Sequence, residues 1–260
     1  MEQDTSTFIF PDYTFGINRQ LPFLNADWQT FPGHYLLYAS SGAFTLDVSD
    51  RRWLLPPQRA AWVAADVPVR IQAKAPVTSS SILFLVGSIP TPDFNCRVFS
   101  VTPLAREMIL WAMRWDMNRK ADDPAANRFF ASTADVCLEL AATAEQFWLP
   151  QVQSAELRCA FDYILSHLDS PLSIEEIAKA VHVSSRTLAR WFVEEAHLPC
   201  GQFIGRARML RAMELLVTQE MPVIDVSLSV GFESVSAFNH AFRRFAQDTP
   251  TNYRKHHKPR

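Results

Sequence analysis

Between positions 34 and 87 the apolar residues come in short runs, "HYLLYAS", "GAFTLDV", "RRWLL", "AAWVA", "VPVRIQA" and "SSILFLV", separated by Ser-Gly, Ser-Asp, Pro-Pro and Asp-Val-Pro breaks. Runs of this length, bounded by turn-forming residues, predict strands. Alternation is clearest in Phe44-Thr45-Leu46-Asp47-Val48, which places Phe44, Leu46 and Val48 on one face. Many short strands with close turns predict a small antiparallel barrel or sandwich, with Phe31, Tyr38, Phe44, Trp53 and Trp62 in its core. From Thr102 the rhythm turns helical. "PLAREMILWAMRW" and, after the polar break "NRKADDPAAN", "FFASTADVCLELAATAEQFWL" predict helices over 102–115 and 129–148. They are too apolar to stand alone, so they cover the strands or pair with another subunit.

The last hundred or so residues read as helices with short connections. Ser173-Ile174-Glu175-Glu176 has the capping-box pattern, in which the serine hydroxyl and the glutamate carboxylate each satisfy a free amide of the other residue. Ser184 is placed to cap a second helix, "SRTLARWFVEEA", a few residues after Val181. This is the spacing of a tight helix-turn-helix.

The segment also repeats itself. Ile174, Ile177, Val181 and Val183 fall on Val223, Val226, Val230 and Phe232 at a shift of 49. After one inserted residue, Ser184, Leu188, Phe192 and Phe203 fall on Ser234, Phe238, Phe242 and Tyr253 at a shift of 50. Three positions of the second helix leave the apolar stripe in each copy: Arg186, Ala189 and Arg190, then Ser236, Asn239 and His240. Spacing i, i+3, i+4 puts each trio on one helical face, where Asn239 and His240 point outward instead of forming a catalytic or metal pair. In a DNA major groove an arginine can grip guanine, an asparagine adenine, and an alanine can touch a thymine methyl. Phosphate contacts are expected from the helix N-termini, Ser184, Ser185, Thr187 and Ser234, and from Arg206, Arg208, Arg243 and Arg244. Between the copies "GQFIGRARMLRAMELLVTQ" is a continuous helical stretch, ~27 Å long at ~1.5 Å per residue, against ~34 Å for one turn of duplex. Copy two, with no arginine in its trio, is expected to be the weaker reader.

"LSIEEIAKAVHVSSRTLARWF", "GQFIGRARMLRAMELL" and "VIDVSLSVGFESVSAFNHAFRRFAQDTPTNYRK" resemble the DNA-binding domain of AraC/XylS-type transcription regulators, including both motifs, the joining helix and Thr249-Pro250-x-x-Tyr253. The resemblance implies two helix-turn-helix units that each insert a second helix into DNA, and it nominates the same two trios. More loosely, "GAFTLDVSDRRWLLPPQRAAWVAADVPVRI" is similar to the cupin-like sensing domain of that family. The implied fold is α+β: a cupin-like β-barrel over 1–95, a helical linker and dimerisation region over 96–153, and an all-α DNA-binding domain over 154–260 with motifs at about 173–194 and 222–245. The implied partners are double-stranded DNA, RNA polymerase if the protein activates, a small-molecule effector and a second copy of the chain. The ligand set of metal-binding cupins is missing, since His34 stands alone and the residue after Val67-Pro68 is Val69. No metal, cofactor or catalysis is expected.

Charge and composition refine this. The net charge is -2, but 13 basic and 12 acidic residues occur from Ser154 onward, against 12 and 15 before it. That asymmetry hints at a partner for the later half. Cys96, Cys137, Cys159 and Cys200 form no C-x-x-C pair and read as buried reduced thiols. "MEQDTSTFIF" carries two acids and no base, and no window has about eighteen consecutive apolar residues, so a cytoplasmic protein away from membranes is expected. Effector-pocket candidates are His34, Tyr38, Trp53, Trp62 and Arg70. "RKHHKPR" reads as a mobile basic tail. One rival reading is a cupin-type enzyme with a DNA-binding appendage; another is a DNA-repair protein with a zinc-bound reactive cysteine. The absent ligand set opposes the first, and the scattered cysteines the second.

Overall fold

A computed structural model describes residues 10–257 apart from 58, 74, 143–147, 153 and 247. The first nine of the ten opening residues read for a signal segment and the last three of the basic tail lie outside the described residues. The strands are β1 (Phe15–Leu21), β2 (Leu24–Asn25), β3 (His34–Ser41), β4 (Phe44–Val48), β5 (Arg51–Leu55), β6 (Arg59–Val63), β7 (Val69–Ala73), β8 (Val77–Phe84), β9 (Cys96–Ser100) and, after two helices, β10 (Trp148–Pro150). The helices are α1 (Pro103–Ala112), α2 (Pro124–Ala142), α3 (Ala155–Ser166), α4 (Ile174–Ala180), α5 (Ser185–Glu194), α6 (Cys200–Thr218), α7 (Val223–Ser229), α8 (Val235–Ala246) and α9 (Pro250–His257). The chain is therefore α+β, as its patterning implied. It divides into two compact units, Met1–Gly42 with Gln58–Glu145, and Ala43–Pro57 with Gln146–Arg260. The expected boundaries were 95/96 and 153/154, with the β4–β5 hairpin in the earlier domain.

In the first unit β1-β8-β3-β6-β9 form an antiparallel sheet whose edges, β1 and β9, are not paired into a closed barrel among the described residues. The register places Leu36 opposite both Trp62 and Ile82, Tyr38 opposite Ala60, and His34 opposite Phe84. These residues share one face by the two-residue period, and α1 and α2 cover it through Ala105, Ile109, Ala112, Ala126, Phe130 and Ala134. Trp62 stacks on Phe84 at 5.0 Å. Thr102 caps α1, its hydroxyl accepting the Ala105 N–H at 3.2 Å, with Pro103 at the first helical position. Asp123 does the same for α2, its Oδ1 accepting from Ala125 and Ala126 at 2.9 and 3.1 Å. Helix α2 thus starts at Pro124, earlier than expected, because Asp-Pro inside the polar break is a start signal. Of the predicted core residues in this unit, Tyr38 and Trp62 are fully buried, while Phe31 is half-buried against Tyr35.

In the second unit Trp148, predicted at the end of a helix, lies instead in β10 and pairs with Trp53 of β5. Arg51 lies over the Trp148 ring at 4.6 Å, so strand pairing and stacking override the local helical rhythm. The hairpin is pinned by fully buried Asp47, which takes two hydrogen bonds from Arg52 at 2.7 and 3.1 Å. Phe44 and Trp53 are buried here. Helices α3 to α9 share one apolar core centred on Phe161, Phe192, Phe203, Phe238 and Phe242. Phe161 stacks on Phe203 at 4.0 Å.

Candidate nucleic-acid interface

The duplication read from the sequence is realised helix by helix: α7 starts 49 residues after α4, and α8 and α9 start 50 after α5 and α6. Helix α4 carries the capping box, with the Ser173 Oγ accepting the Glu176 N–H at 3.2 Å and the Glu176 carboxylate accepting from the Ser173 N–H at 2.9 Å. Those bonds to the charged form hold the Glu176 carboxyl below its usual range. The turns into α5 and α8 place His182 and Gly231, equivalent in the repeat, in the left-handed region at φ 59° and 74°. Ser184 caps α5 by accepting the Thr187 N–H at 3.1 Å, and Ser234 caps α8 by accepting the Ala237 N–H at 3.4 Å.

One side of each second helix is anchored, Leu188 and Phe192 in α5, Phe238 and Phe242 in α8, all fully buried. The opposite sides carry the predicted trios. Arg186, Arg190, Ser236 and His240 are exposed, and Ala189 and Asn239 are half-buried at the flank. An apolar groove of about 400 Å³ runs beside Ala189, lined also by Ile174, Val193, Cys200, Gly201 and Ile204. Arg190 holds an ion pair with Glu194, Nε to Oε2 3.8 Å. Two further exposed residues follow the trios one turn along: Val193, which the sequence reading passed over, and Arg243, which it expected at a phosphate. The i+7 helical spacing was the signal that places them there.

The expected phosphate contacts separate into three groups. Arg243 and Arg244 are exposed. Ser184 and Ser234 are occupied as caps, Ser185 is half-buried, and the Thr187 hydroxyl lies 2.8 Å from that of Ser184. Arg206 and Arg208 turn inward. Arg206 donates to the Trp148 carbonyl at 3.3 Å and lies 5.2 Å over the Trp148 ring. Arg208 donates to the Ser170 carbonyl at 2.7 Å and lies 5.9 Å from the Phe232 ring centre. Burial lowers the pKa of both. In the terminal basic stretch Arg254 is likewise fixed, its Nε donating to the Leu216 carbonyl at 3.0 Å from within α9.

Of the effector-pocket candidates, His34, Tyr38 and Trp62 share the sheet face covered by α1 and α2. His34 Nδ1 accepts the Ala65 N–H at 3.2 Å, and burial lowers the His34 pKa. Arg70 is half-buried with its guanidinium 5.6 Å over the Trp28 ring. Trp53 belongs to the second unit. Burial raises the thiols of Cys137 to about 12 and Cys200 to about 11, so both stay protonated. Cys159, expected to be buried, is exposed because it falls on the solvent side of α3, between buried Leu157 and Ala160.

Two equivalent helix-turn-helix units, each presenting an exposed polar helix face, define a DNA-binding transcription regulator. The helix-turn-helix domain family matches residues 177–256. Regulatory protein SoxS of Salmonella typhimurium is 34% identical over 98 residues, which are 38% of this chain and 92% of SoxS. The HTH-type transcriptional regulator NimR of Escherichia coli is 26% identical over 221 residues, covering 84% of this chain and 78% of NimR. A solved transcriptional regulator of Chromobacterium violaceum, described as containing an AraC-type DNA-binding domain, is 28% identical over 38% of this chain and 89% of its own, with a TM-score of 0.37. The chain belongs to the AraC family of transcription regulators. Among the described residues no helix is long and apolar enough to cross a membrane.

Proposed function

We propose that the chain is a non-catalytic, sequence-specific regulator that sets α5 and α8 into successive major grooves on one side of a duplex. The observation that carries this is the rigid duplication. α5 and α8 expose equivalent faces and are joined through α6, whose 19 residues span ~28 Å, close to the ~34 Å of one duplex turn. Eleven of those residues are buried, so the spacer is also a core helix and its length is fixed by packing. Arg186 and Arg190 suit guanine, Asn239 suits adenine, and Ala189 suits a thymine methyl. Ser236 and His240 complete the second face. Phosphates fall to Arg244, to Thr187 and to the first amides of the reading helices.

A small-molecule effector in the first unit belongs to the same proposal. His34 Nε2 and Trp62 Nε1 are buried without a hydrogen-bond partner among the described residues, and a polar ligand would satisfy them. Exposed Leu104 and Trp111 on α1 support a homodimer through that helix. RNA polymerase is a further partner if the protein activates. The test is a gel shift with the full chain at physiological salt, comparing DNA upstream of its own gene with random duplex. Specific recognition expects ~10³-fold or greater preference; equal affinity overturns it.

A further inference from the structure

We propose that Arg243 reads a base instead of a phosphate, and that Val193 holds the corresponding place on α5. The proposal rests on the reading of α5 and α8 as recognition helices. Seven residues along a helix advance ~700°, within about 20° of two full turns, and rise ~10.5 Å. Arg243 therefore lies nearly in line with Ser236, beyond His240, and Val193 lies nearly in line with Arg186, beyond Arg190. All six residues are exposed. Phe238 and Phe242, or Leu188 and Phe192, fix the rotation by being buried: they lie ~200° and ~240° from the first residue of each row, so the second residue, His240 or Arg190, stands opposite the core with Arg243 or Val193 ~60° to one side of it. Arg243 falls within the arc that Asn239, Ser236 and His240 span, whereas Arg244, one residue further, lies ~40° beyond His240 and outside that arc, the side on which a phosphate wall would stand.

The rise of ~10.5 Å equals about three base-pair steps at ~3.4 Å each. A row of three residues thus spans distinct base pairs instead of repeating one contact. At its far end Arg243 offers the planar fork that matches guanine O6 and N7. Val193, 58% exposed at the edge of the apolar groove that Ala189 also lines, offers methyl groups to a thymine methyl. The two copies then carry opposite programmes. Copy one has guanidinium groups at the first two places and an apolar side chain at the third; copy two has a hydroxyl and an imidazole first and a guanidinium last. Copy two does not lack an arginine reader, as its trio suggested; it carries one a turn later.

The test is selection of binding sites from a randomised duplex pool by the full chain, followed by affinity measurements on the selected site and its single-base variants. The wild-type protein is expected to select a bipartite site. Arg243→Ala should lose about ten-fold or more of the preference for one G·C pair in the second half-site. Arg243→Lys should lose that preference too while keeping the salt dependence, because it retains charge without the fork. Arg244→Ala should keep the preference and weaken every sequence alike, lowering the slope of log K against log salt by about one. If Arg243→Ala behaves as Arg244→Ala does, with the preference intact, Arg243 is a phosphate contact and the inference falls while the recognition helices stand. If the wild type selects no site, the underlying reading falls and takes this one with it.

Discussion

Arg190 and Glu194 stand one turn apart on α5 with Nε and Oε2 3.8 Å from each other, their side chains 62% and 61% exposed. Such a pair contributes only ~0.3–0.5 kcal/mol to the fold, but it places a carboxylate beside the helix face proposed to meet DNA. The equivalent place in α8 holds Arg244. Glu194→Gln should therefore tighten binding to any duplex several-fold at low salt, with the gain fading as salt rises. Thermal stability should move by less than about 0.5 kcal/mol. Weaker and less selective binding by the variant would show instead that Glu194 orients Arg190 for its base.

His182 and Gly231 fill the same turn position, both with positive φ. A Cβ at Gly231, where φ is +74°, would come within 2.4 Å of the Leu168 carbonyl oxygen and 2.5 Å of an Arg208 guanidinium nitrogen. Gly231→Ala should cost ~2 kcal/mol or more through backbone strain and displacement of Arg208 from Ser170. His182→Gly relieves a left-handed non-glycine residue at φ 59°, offset by the greater freedom of glycine in the unfolded chain, so its effect should lie within ~1 kcal/mol of zero. Urea midpoints measure both. Equal destabilisation of the two variants would contradict the asymmetry.

Strands β3 to β8 and helices α4, α5 and α8 were legible because each announces itself by a local period and a turn or cap signal, α6 because it is an unbroken run of helix formers between the copies, and α7 because it repeats α4 at a shift of 49. Strand β1 was not, since it is a sheet edge whose later residues face solvent and read as polar. Strand β10 was hidden because its three residues continue a helical-looking run, and only pairing with distant β5 makes them extended. The outward faces of α5 and α8 were legible through the repeat, which subtracts the shared core and leaves the positions off the apolar stripe. The inward turn of Arg206 and Arg208 was not legible, because their acceptors, the Trp148 and Ser170 carbonyls, lie 58 and 38 residues away in sequence. Exposure cannot be inferred from charge alone when a guanidinium can cover an aromatic ring.

Arg206 separates these views by experiment. Deleting a side chain that neutralises one phosphate lowers the salt slope by ~0.9, whereas a guanidinium packed on Trp148 and bonded to its carbonyl stabilises the fold. Arg206→Ala should leave the salt slope unchanged and lower the unfolding free energy by ~1–2 kcal/mol. Trp148→Ala should be comparably destabilising, because the ring is the platform for both Arg51 and Arg206. A reduced slope for Arg206→Ala with full stability would return that arginine to the DNA surface.

His34 provides a pH test of the first unit. Its Nδ1 accepts the Ala65 N–H and it is 2% exposed, so the neutral ring with its proton on Nε2 is the form the fold accommodates. Burial lowers its pKa below the ordinary 6.5, so on acidification the unfolded chain takes up the proton first. The stability tied to this group is fully present above 6.5 and is lost as pH falls from there through the lowered folded-state value. The urea midpoint of the wild-type protein should fall between about pH 7.5 and pH 5.5, and His34→Gln, which has no proton to gain, should fall less over that window. At the upper end the variant should itself be the less stable, by ~1 kcal/mol, because the half-buried Ala65 N–H is deprived of a well-placed acceptor. Parallel pH profiles for the two proteins would assign the acid sensitivity to another group.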